Sequence, residues 1–218
     1  MAATTAKPVW VAIGAASMSG ELCTVRQMKG LVLMAHVGTG GQRASGNLHL
    51  AELLHRHGIG TLSFDLLTED ELADEHCCLD IALQAWRIGR AVFWATGYRP
   101  LPDGPYGLAT SGTGAAAALE VAATMPGSVA AIVSRSGRPD LAWHDLPRVR
   151  APTLLMVGDR EPSVTHLHRA ALRELKCAKR LEVIPGAGDL VAEPDAGEGA
   201  AALAAQWLQE HLHPHRVW

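Results

Sequence analysis

The sequence predicts an α/β fold, with a mostly parallel central sheet, helices on both faces and no lid domain. Three observations lead there. From residue 30 onward, strand-like and helix-like segments alternate, the signature of βαβ units. The strand-like segments are continuous apolar runs, such as "LVLMAH" and "PTLLMVG", as expected of strands buried on both faces. The connections are short, leaving no room for a separate lid, so residues 1–218 are read as one domain.

Each element follows in order. "VWVAIG" and "GELCTV" read as two short strands forming an antiparallel edge. "LVLMAH" (31–36) is a buried strand running into the Gly-rich turn "VGTGG". "NLHLAELLHRHG" is a helix ending at Gly58, and "GTLSFDLL" (60–67) is the next strand. In "LDIALQAWRIGRAVFWAT", Leu79, Leu83, Trp86 and Phe93 recur at three-to-four spacing, which predicts that they form the buried stripe of a helix. "YGLAT" (106–110) is a strand, expected near the middle of the sheet. The alanine-rich helix 113–125 follows, stopped by Pro126 and Gly127. "SVAAIVSR" (128–135), "PTLLMVG" (152–158) and "RLEVIPG" (180–186) complete the strands. A helix containing "VTHLHRAALRELK" separates the last two, and "GAAALAAQWLQEHL" (199–212) closes the chain.

Composition narrows the function. Apolar content of 48% against 19% charged residues describes an ordinary globular protein, and a net charge of −3 without a basic face gives no sign of nucleic-acid binding. No apolar run approaches the roughly 18 residues of a membrane span, and "MAATTAKPVW" lacks the apolar core of a signal peptide, so a cytoplasmic location is expected. The four cysteines show no metal-ligand or disulfide spacing and read as reduced thiols. The expected partner is a small-molecule substrate. No metal or cofactor is expected, and the sequence is compatible with a homodimer.

In a parallel α/β sheet, ligands bind at the carboxyl ends of the strands. There, "YGLATSGTGAAAALE" (106–120) has the strand, tight turn and small-residue helix of a nucleophile elbow, G-x-S-x-G. Together with "LVLMAH", "FDLLTEDE", "VSRSGRPDLA", "LPRVRAPTLLMVGDRE" and "PGAGDLVAEP", it resembles the small, lidless dienelactone-hydrolase-like branch of the α/β hydrolases. The resemblance runs from about Met18 to His211 and implies the α/β-hydrolase fold.

The resemblance also implies which positions the catalytic residues would hold. In register with "GAAAAL", Gly112 falls where the nucleophilic serine belongs and Ser111 one residue before it. A shifted register would make Ser111 the nucleophile. The acid position matches Glu161, with Asp159 second, and the histidine position matches Asp189. Two of the three triad residues therefore depart from the pattern at separate sites.

Without nucleophile and base, binding and the oxyanion hole alone leave roughly 10³–10⁴-fold over water. The N–H of Thr113 and one from the turn Val37, Gly38 and Thr39 remain to polarise a carbonyl. Ser111 and Gly112 would line the substrate space. Glu161 and Asp189 are expected to meet in a partly closed pocket and share a proton as an acid/base pair, with His36 at the oxyanion turn as a third candidate. Arg135 and Arg138 flank a further turn, and His166 and His168 follow the acid loop.

Three functions stay open. The first is non-hydrolytic acid/base chemistry (isomerase, lyase or cyclase type) on a small carbonyl, lactone or polyketide-like compound. The second is a catalytically silent binding or partner protein. The third is a weak esterase using Ser111.

Overall fold

An antiparallel hairpin opens the chain. β1 (Thr4–Ile13) turns Val9 and Val11 into the core and pairs along its length with β2 (Ala16–Val25). The computed structural model describes residues 4–13, 16–38, 44–99, 101–102 and 104–212. β3 (Gly30–His36), β4 (Ile59–Asp65), β5 (Tyr106–Gly112), β6 (Val129–Gly137), β7 (Thr153–Gly158) and β8 (Lys179–Ile184) continue the sheet. The strand order is β1-β2-β4-β3-β5-β6-β7-β8, so β5 lies near the middle, as its sequence predicts. β2 runs antiparallel to β4, and every pairing from β4 to β8 is parallel.

Two apolar layers enclose the sheet. On one face, Val32, Met34, Ala109 and Val133 pack beneath α1 (Ser45–Arg56) and α7 (Pro194–His211). On the other, Leu31, Leu33, Leu108 and Ile132 meet α4 (Ile81–Gly97) and α5 (Gly114–Thr124). Ala115 to Ala118 of α5 are fully buried, and side chains this small let the helix lie close against the strands. α6 (Pro162–Glu174) packs beside β7 and β8. Two short helices, α2 (Glu69–Leu72) and α3 (Glu75–Leu79), follow β4. No helix among the described residues is long and apolar enough to cross a membrane.

One expected face is turned the other way. Trp86 and Phe93 of α4, and Leu79 before it, are exposed, Phe93 by 65%. The buried stripe is Gln84, Ala85, Ile88, Ala91, Val92 and Ala95. Its residues recur at the same helical spacing, but α4 must lie flush on α5, and that contact admits alanines better than indole or phenyl rings.

Candidate functional site

The turn after β5 is sharp because of one residue. Gly112 has φ +54°, in the left-handed region that glycine enters freely, and among the described residues, its chain neighbours aside, no heavy atom lies within 4 Å of where a Cβ would project. Immediately beyond it, Thr113 precedes α5, whose first N–H groups lack intrahelical acceptors. The Thr113 hydroxyl is committed elsewhere, donating to Gln84 Oε1 at 3.0 Å. Ser111 is half-buried and makes no hydrogen bond to a histidine among the described residues.

Beside the elbow is a cavity of about 320 Å³, lined in part by Ser136, Gly137, Gly158, Glu161, Gly188 and Asp189. The loops after β7 and β8 meet there because the chain at Gly158 lies so close to Ala187 that a Cβ would fall 2.1 Å from the Ala187 carbonyl oxygen. Glu161 and Asp189 thus line one cavity as two separate exposed carboxylates, with no hydrogen bond joining them.

Asp189 shapes its own loop. Its Oδ1 accepts from the N–H groups of Val191 (2.7 Å) and Ala192 (3.2 Å), leaving Oδ2 without a hydrogen bond among the described residues. Asp159, the second candidate acid, accepts from Gly186 N–H at 2.7 Å and fastens the same segment. Ser136 completes the frame. It holds φ +50°, rare for a residue with a side chain, at the point where the β5/β6 register slips. Its Oγ accepts from Leu190 N–H at 2.9 Å and donates to Gly188 O at 3.4 Å.

His36 closes β3 and is buried. Its Nδ1 is 3.1 Å from Asn47 Nδ2. Burial first, and then the Arg135 charge, lower its pKa to about 3. Arg135 is fully buried, donating from Nη1 to Gly46 O at 3.0 Å and from Nη2 to Asn47 Oδ1. Burial lowers its pKa to about 10 against the opposing pull of Asp189. Arg138 instead pairs with Asp140 at 2.7 Å. His166 is exposed, and His168 is buried with Nδ1 2.9 Å from Val164 O. Val37 is half-buried and Gly38 exposed, while Thr39 lies outside the described residues. Among the described residues, no three His, Cys, Asp or Glu side chains are grouped to hold a metal ion.

A dienelactone hydrolase from Anabaena variabilis superposes on this chain with a TM-score of 0.90 and 38% identity, covering 96% of this chain and 99% of its own. The chain belongs to the dienelactone hydrolase family. A dienelactone hydrolase-like promiscuous phosphotriesterase from metagenomic libraries shares the fold (TM-score 0.78, 20% identity, 97% and 100% covered). So does Est1E from Butyrivibrio proteoclasticus (TM-score 0.74, 14% identity, 93% and 96% covered). Two Mycobacterium tuberculosis proteins, provisionally named phosphoribosyl transferases, are 40% identical over 205 residues. That match covers 94% of this chain, which spans about half the length of those relatives. No family model matches the chain.

Asn47 and Ser136 are the site residues that sequence reasoning misses. A lone Asn at a helix start and a Ser inside a strand carry no catalytic signal, since one is recruited by a distant arginine and the other by a register slip.

Proposed function

We propose that this dienelactone hydrolase family member binds a small carbonyl compound, a lactone or polyketide-like intermediate, and acts on it by acid/base chemistry without an acyl-enzyme. The observation that carries this reading is Gly112: its positive φ makes the turn after β5 sharp, and space is open where a side chain would project among the described residues. A carbonyl oxygen in that space meets the N–H of Thr113 at the start of α5, where developing negative charge is stabilised. Glu161 and Oδ2 of Asp189 flank the cavity and supply groups that take and return a proton next to the carbonyl. The change is then an isomerisation, elimination or cyclisation, with no water added across the substrate.

The test is to incubate the protein in D₂O with a panel of small lactones and β-keto esters and follow the carbons beside the carbonyl by NMR. The expected result is deuterium incorporation or isomer formation without ring opening. Glu161→Gln and Asp189→Asn should each lower the rate by about 10²–10⁴-fold while Ser111→Ala leaves it unchanged. Unchanged rates in both carboxylate variants would sink the acid/base reading. Ring opening that collapses in Ser111→Ala would return the chemistry to that hydroxyl.

A second reading, a silent partner module, has one observation in its favour. A surface cavity of about 260 Å³ lined by Ala12, Arg90, Phe93, Trp94, Gly97 and Tyr98 carries exposed aromatic area that the fold leaves uncovered. In relatives twice as long, a further half is available to cover such a face, and on this reading the partner is a phosphoribosyl transferase-like unit.

A further inference from the structure

We infer that Asn47, oriented by Arg135, is a positioning residue that fixes His36 as its Nε2–H tautomer, so that His36 serves the site as a hydrogen-bond donor and never as a base. Arg135 is the one group whose hydrogen-bonding role is beyond choice. A guanidinium only donates, so the atom of Asn47 facing Arg135 Nη2 is the amide oxygen. The amide nitrogen is then the atom 3.1 Å from His36 Nδ1, and it donates. Nδ1 must accept and is bare, which leaves the single ring proton on Nε2.

A proton on Nδ1 would set two donors against each other within a few ångströms of a buried positive charge. The charged group acting on the ring is Arg135 from β6, while Asp65 stands beside His36 in register on β4. Arg135 has no carboxylate within ion-pair distance among the described residues, and Asp189 acts on it only from farther away. His36 Nε2 is buried without a hydrogen-bond partner among the described residues. A buried N–H in want of an acceptor, at the end of the strand beside β5, is matched by a ligand carbonyl oxygen. The same locked ring, with its proton on Nε2 and Nδ1 engaged by Asn47, cannot take the proton of Ser111.

The donor role rests on the binding reading above, whereas the tautomer does not, and the experiment separates them. The full chain is labelled with ¹⁵N-histidine, and ring nitrogens are correlated with ring protons, the His36 signals being assigned by their loss in His36→Gln. The expected pattern is a protonated Nε2 and a bare Nδ1, unchanged between about pH 5 and pH 8. Asn47→Asp, which replaces the donor with an acceptor, should move the proton to Nδ1 or charge the ring. A wild-type spectrum with Nδ1–H or an imidazolium overturns the proposal, and that spectrum decides even if the variant does not fold.

Adding dihydrocoumarin should then shift the His36 Nε2–H resonance together with the amides of Gly137 and Gly188. If the amides shift and His36 does not, the donor role is wrong. If nothing shifts, the binding reading fails while the tautomer stands on the unliganded spectrum.

Discussion

His36 carries a stability consequence that its neighbours dictate. Its pKa falls from 6.5 to about 3 on folding, so between those values the unfolded chain binds a proton that the folded chain does not. Stability therefore rises with pH across that window and is lost as pH drops through it, by about 1.4 kcal/mol per pH unit for this one residue. Denaturant titrations from neutral pH down to mildly acidic pH should show a steeper loss for the wild type than for His36→Gln, the two curves converging as pH falls. Parallel curves would mean that the ring is protonated in the folded protein. The residue scale is also where the sequence is least legible. Gly112 stands out because a motif surrounds it, and Glu161 and Asp189 are found through the same alignment. Ser136 and Asn47 acquire their roles from a positive φ and from an arginine far away in sequence, and neither is written locally.

Strands and helices are far more legible, because each is a run of residues with one period and a recognisable stop. "LVLMAH" can only be buried on both faces, and β3 is. α4 shows what periodicity leaves out. Its apolar content wraps around most of the helix, and which stripe turns inward is decided by α5, whose alanines ask for a flush neighbour. Substitutions separate the two faces. Ile88→Ala removes a fully buried side chain and should cost about 2–5 kcal/mol, whereas Phe93→Ser on the outer face should stay within about 0.5 kcal/mol. Equilibrium unfolding measures both, and a large loss in Phe93→Ser would show that the outer face is covered in solution. That outcome would favour the partner-module reading.

For the whole molecule, one sheet brings five segments distant in sequence to one edge: the ends of β3, β5 and β6 and the loops after β7 and β8. The backbone there follows the dienelactone hydrolase fold, and in this chain the loops after β7 and β8 come together at Gly158. On the reading proposed above, the chemistry placed on it is set by Gly112 in the turn after β5 and Asp189 in the last loop. Fold and family follow from features spread over the whole chain, so they survive the replacement of single residues, whereas activity depends on those single residues. On the proposed reading position 112, not 111, holds the elbow, so that no side chain is poised to form a covalent intermediate. The decisive experiment treats the wild type with a fluorophosphonate and measures the intact mass. An unmodified mass is expected, and a stoichiometric adduct that maps to Ser111 would overturn the assignment of Gly112.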